Sequence, residues 1–135
     1  MFASLAAMAL LSTTGTPYLC HTDFQRITDL PSLHAAYATT RTCDTSEEDE
    51  GYSDAIAKIF TDRWDSVVAS QAMIAKDKGF QAFVLRHVDT TWPDAETLAR
   101  LEANAKDRCP ARLADFCAQL VKEAEDAQVR MKGGG

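Results

Sequence analysis

Ile56, Ile59, Phe60, Trp64, Val67, Val68 and Ile74 recur at spacings of three and four residues, while Asp54 and Lys58 fall on the opposite face. This period places a single apolar stripe on an α-helix. It predicts one long helix from about Ser53 to Lys78, with the acid N-terminal to the base as the helix dipole prefers. Gly79 is expected to close that helix in a left-handed conformation, which glycine adopts without steric cost. Phe80, Phe83, Val84, His87 and Val88 repeat the spacing on a shorter helix. DTTWPDAE then interrupts the pattern, and Thr91 with Asp94 predicts a capping arrangement for the next helix. That helix would bury Ala95, Leu98, Leu101 and Ala105 and pair Glu96 with Arg100 and Glu102 with Lys106 outside. A last one aligns Leu113, Phe116, Cys117, Leu120, Val121 and Ala124.

Towards the N-terminus the period fades. Residues 16–30 show no sustained helical or strand period. Asp29 and Pro31 predict a helix start, since proline in a first turn removes no needed N–H. A short helix through LHAAYATTR follows, weakened by its threonines. No stretch after the first residues alternates with period two. The expected fold is therefore all-α, an antiparallel bundle of four to five helices with short connections and disulfide staples.

MFASLAAMALL, at the very front, is apolar or small throughout and is followed by STTGT. Its length suits the apolar core of a signal peptide and falls short of a bilayer span. Cleavage is expected just after Gly15, although no Lys or Arg precedes the run. The domain reading is a signal peptide over 1–15, one helical domain over 16–132, and a loose tail over 133–135. The mature protein is expected to be exported, periplasmic or secreted, and not membrane-bound.

Charge adds one asymmetry. The chain has 135 residues and a net charge of −6. CDTSEEDEGYSD holds Asp44, Glu47, Glu48, Asp49, Glu50 and Asp54 with no base, which leaves 14 acidic residues against 14 basic ones elsewhere. Residues 44–54 therefore read as a solvated acidic loop on a nearly neutral body. With no basic face, the chain is not expected to bind nucleic acid.

Four cysteines in an exported chain imply two disulfides. Cys109 and Cys117 stand eight apart, about 12 Å along a straight helix, which is too far to bond. They come within reach if one helix ends near Cys109, PAR makes a turn and the next helix starts around Leu113. The expected pairing is then Cys20–Cys43 and Cys109–Cys117, with Cys43 to Cys109 or Cys117 as the rival. Neither the spacing of structural zinc ligands nor C-x-x-C is present, so no metal or cofactor is expected.

Histidine offers two H-x-D pairs, His21 with Asp23 and His87 with Asp89. On a helix, positions i and i+2 diverge, so His87 reads as a core-edge histidine with a hydrogen-bond partner. His34 has no partner nearby in sequence. No serine elbow, phosphate loop or H-E-x-x-H occurs. The expected function is that of a non-enzymatic, inhibitor- or immunity-like protein that binds a partner with a basic surface. Glu47, Glu48, Asp49 and Glu50 are the candidate binding residues. Trp92 reads first as a staple between loop and core and, if exposed, as an interface anchor. The alternative is a carrier of a small apolar ligand, with Phe80, Phe83, Phe116 and Met73 around a pocket.

Overall fold

The computed structural model describes residues 21–40 and 46–133. The predicted signal segment, Cys20, Cys43, Asp44 and the last two residues lie outside them. Within the described residues the protein is all-α, with no strand. After a 3-10 turn at Phe24–Arg26 come α1 (Leu30–Thr40), α2 (Ser46–Asp62), α3 (Trp64–Ala69), α4 (Gln71–Lys76), α5 (Lys78–Arg86), α6 (Ala95–Asp107) and α7 (Ala114–Gly133), the last preceded by a 3-10 turn at Ala111–Leu113.

The start of α1 follows the expectation. The Asp29 carboxylate accepts from the Ser32 backbone N–H at 3.0 Å and from its hydroxyl at 2.8 Å. In return the Ser32 hydroxyl accepts from the N–H groups of Thr28 and Asp29. This reciprocal arrangement satisfies donors that a helix start leaves open. These bonds, the backbone one first, hold the Asp29 carboxyl below its usual range.

The long helix expected from Ser53 to Lys78 is instead four pieces. The acidic stretch is helical from Ser46 and not a loop, because its carboxylates sit where the N-terminal dipole favours negative charge. Breaks then fall at Arg63, Ser70 and Asp77. Each is closed by short backbone bonds, such as Ser70 N–H to the Val67 carbonyl at 3.2 Å. One apolar stripe on a straight rod buries against one surface only. Broken three times, the same stripe takes Phe60, Trp64, Val67 and Ile74 into a single core with Phe80, Leu30, Leu33, Leu98, Leu101, Phe116 and Leu120.

Gly79 does not close a helix. It lies in the first turn of α5, and no described glycine has positive φ. A Cβ there would meet the Tyr37 hydroxyl at 2.7 Å, so the missing side chain makes room for that ring. The stop signal is Asp77, whose carboxylate accepts from Phe80 N–H at 3.0 Å and starts α5 afresh.

Three distant bonds tie the end of α2 and the start of α3 to the end of α6. The Asn104 side-chain amide donates to the carbonyls of Phe60 and Thr61, at 2.9 and 3.2 Å. The Trp64 indole N–H donates to the Arg108 carbonyl at 3.0 Å. Arg100, expected to pair with Glu96, reaches Asp62 of α2 instead, while Lys106 does pair with Glu102 at 2.7 Å. The Asp94 side chain alone caps α6, accepting from Thr97, and Thr91 turns back to Asp89.

The connection between α6 and α7 is the one anticipated. α6 ends at Asp107, the 3-10 turn spans Ala111–Leu113, and Cys117 lies in the first turn of α7. Cys109 and Cys117 stand at disulfide distance, with sulfurs 2.09 Å and Cα atoms 6.2 Å apart. No helix among the described residues is long and apolar enough to cross a membrane.

Alanine in place of a mid-helix glycine usually adds about 1 kcal/mol of stability. At Gly51 the opposite is expected, because the new Cβ would stand 2.3 Å from the Phe24 ring. Gly51→Ala should forfeit that gain or lose stability in urea denaturation, and adding Phe24→Ala should recover the helix-propensity gain relative to Phe24→Ala alone. The α6 cap gives a pH prediction. Bonds from the Thr97 hydroxyl, then from its backbone N–H, hold the Asp94 carboxyl below its usual range. Its contribution is therefore present above the unfolded carboxylate range and lost as pH falls through the lower folded value. Amides in the first turns of α6 should fray on acidification in the native chain, and in Asp94→Ala should already be frayed at neutral pH by hydrogen exchange.

Candidate functional site at the acidic start of α2

α2 carries Glu47, Glu48, Asp49 and Glu50 in its opening turns, and each described side chain meets a different environment. Glu48 is buried, contrary to the solvated loop expected, and its Oε1 accepts from the Thr22 backbone N–H at 3.2 Å. Asp49 is half exposed, with Oδ1 2.7 Å from Nε2 of His87. Glu50 points to solvent along the rim of a groove. The helical period sorts consecutive carboxylates onto different faces.

One turn on, Tyr52 anchors the site. It is 3% exposed and touches Phe24, Phe83 and His87, with ring centroids 5.1, 4.9 and 6.1 Å away. Its hydroxyl meets that of Thr40, and also that of Thr22 at 3.3 Å. The Thr40 hydroxyl donates its one hydrogen to the Ala36 carbonyl at 2.8 Å. Tyr52 must therefore donate to Thr40, which leaves its oxygen free to accept from Thr22. The chain of hydroxyls joins the 21–22 segment, α1 and α2.

His87 ends α5 and is 2% exposed, the core-edge histidine that was expected. Nδ1 lies 2.7 Å from the Phe83 carbonyl oxygen. Its ring does not meet Asp89 but faces Asp49, far off in sequence. Trp92 is buried at 3% exposure, and its indole N–H donates to the His87 carbonyl at 2.7 Å. It is thus the staple from loop to core, and its ring is not presented as an exposed anchor.

His34, which lacked a partner in its sequence neighbourhood, finds one through the fold. Its Nε2 lies 2.8 Å from Asp77 Oδ2. Its ring also meets Phe80 edge-on, with centroids 4.9 Å apart. His21 is exposed. Among the described residues no three His, Cys, Asp or Glu side chains come together as metal ligands would. Phe80, Phe83 and Phe116 belong to the packed core, and Met73 lies against it.

Outside, Glu50 and Asp54 border a groove of about 230 Å³ with Thr91, Trp92 and Pro93. None of those lining residues is basic. Asp54 has Lys58 one turn along at 3.1 Å, an exposed pair of little energetic weight. What this arrangement does chemically is present charge.

Tyr52 is buried although residues 44–54 were expected to be a solvated loop; its place four residues before Ile56 is the spacing that carries the signal. Its hydroxyl partners carry no such signal, since Thr22 and Thr40 come from other parts of the chain. Tyr52→Phe should cost about 1–3 kcal/mol in denaturant unfolding, because the Thr22 and Thr40 hydroxyls lose a buried partner. Thr22→Val should cost less, as Tyr52 keeps Thr40.

No protein-family model matches this chain, and neither a curated protein nor a solved structure matches it.

Proposed function

We propose that this protein is an exported, non-enzymatic antiparallel helical bundle that binds a partner protein with a basic surface, in the manner of an inhibitor or immunity factor. The observation that carries the reading is the groove bordered by Glu50 and Asp54, whose lining holds two carboxylates and no base, with Lys58 beside Asp54 just outside it. An acidic rim of this kind draws and orients a basic partner more than it holds one by area. Glu50, at the groove, and Glu47, whose side chain lies outside those described, are the contact residues of this proposal. Glu48, Asp49 and Trp92 support the face from within, through Thr22, His87 and the His87 carbonyl.

Export is supported by the apolar run at the front of the sequence and by the cysteine pair at disulfide distance, which suits an oxidising compartment. The antiparallel arrangement is supported by α6 and α7. Cys109 approaches Cys117 at one end of the two helices, and Glu102 takes a bond from Gln128 at 2.9 Å further along.

Crosslinking in the native host, followed by titration of the recovered partner with purified protein, tests the reading. One partner is expected, with affinity falling as salt rises. Glu47→Gln with Glu50→Gln should weaken it by roughly tenfold, since charge at such a face acts mainly on encounter. Unchanged affinity in that double variant would remove the acidic face from the account. A non-reducing peptide map of the same material should show the Cys109–Cys117 link and a chain that begins after Gly15.

A further inference from the structure

The contact between His87 and Asp49 counts protons. Nδ1 of His87 is 2.7 Å from the Phe83 carbonyl oxygen, which can only accept, so Nδ1 carries a hydrogen. Nε2 is buried and 2.7 Å from Asp49 Oδ1, although not aligned for a directed hydrogen bond. An ionised carboxylate also only accepts. A neutral ring with its hydrogen on Nδ1 would set the Nε2 lone pair against that oxygen. The contact becomes attractive when the pair holds one more proton, as an imidazolium facing a carboxylate.

We propose that His87 and Asp49 form a pH-dependent latch, in which protonated His87 holds the opening turn of α2 against the end of α5 and deprotonation releases it. The position suits this role. Asp49 is flanked by Glu48, which holds Thr22, and by Glu50 at the groove. The His87 backbone is held independently by Trp92, so the ring changes state on a fixed support. Of the titratable groups, Asp49 and the Tyr52 phenol of α2 meet the ring, Glu48 is the neighbour of Asp49, and Arg86 and Asp89 lie beside His87 along the chain. Arg86 lies over the Phe83 ring, its guanidinium carbon 5.8 Å from the centroid. In the proposed latch the extra proton belongs to the folded state, and this sets the sign. The latch is closed on the acid side of the histidine range and lost as pH rises through it. It needs no partner and stands or falls apart from the binding reading.

His34 also faces a carboxylate, that of Asp77, so the readout must be local to His87. Ring nitrogen shifts of His87 in the full chain report its protons directly. Hydrogen exchange of amides 50–54, corrected for intrinsic rates, reports the opening of the first turns of α2. Both ring nitrogens of His87 should be protonated at about pH 6, and protection at 50–54 should fall roughly tenfold towards about pH 8. Asp49→Asn can donate its amide hydrogen to a neutral ring, so protection in that variant should be level over the same range. A singly protonated His87 at about pH 6 would overturn the latch. So would equal pH dependence in the native chain and Asp49→Asn. Should that variant fail to fold, the ring spectrum of the native chain alone decides.

Discussion

Every helix end must find partners for the backbone groups it leaves open, and in this protein that requirement governs the middle of the chain. Between Asp62 and Lys78 the helix stops and restarts three times. Each interruption strands carbonyl and N–H groups beside a hydrophobic core, where an unmet group costs free energy of the order of a lost hydrogen bond. The ends of α2 and α6 resolve this together. Asn104 covers the carbonyls of Phe60 and Thr61, and Trp64 covers that of Arg108. Because Phe60 and Trp64 are also core residues, the same contacts that satisfy the backbone set the packing.

The acidic start of α2 follows a related logic. A run of carboxylates is costly in most helical positions and favourable at an N-terminus. Once the run is helical, its members diverge. Glu48 holds the 21–22 segment, Asp49 meets His87, and Glu50 stays outside. Buried and exposed carboxylates thus serve different ends within one turn. The proposed binding face and the proposed latch share a helix start and meet at Asp49, which backs the face from within and supplies the acid of the latch.

Disulfide distance between Cys109 and Cys117 illustrates how far local geometry carries. The pair is separated by eight residues, which forbids a bond along one helix and permits it across a turn. Pro110 favours extended backbone, and with φ −66° and ψ 145° it occupies that conformation just before the 3-10 turn.

Much of this architecture was legible because it depends on period and on short-range chemistry. The all-α class, the apolar stripes of α2 to α7, the Asp29 start of α1, the turn at Cys109 and the buried place of His87 all follow from neighbours a few residues apart. The acidic stretch was misjudged as a loop because charge density alone does not reveal a helix dipole. Gly79 was misjudged as a stop because glycine serves equally where a ring, here that of Tyr37, needs room. Only tertiary structure decided the pairing of Asp49 with His87 and of His34 with Asp77, and the burial of Glu48. Those depend on groups some 26 to 44 residues apart, such as Thr22 with Glu48 and Trp64 with Arg108. Spacing along a chain specifies which face a side chain occupies. Which distant face it meets is settled by how the broken helices pack.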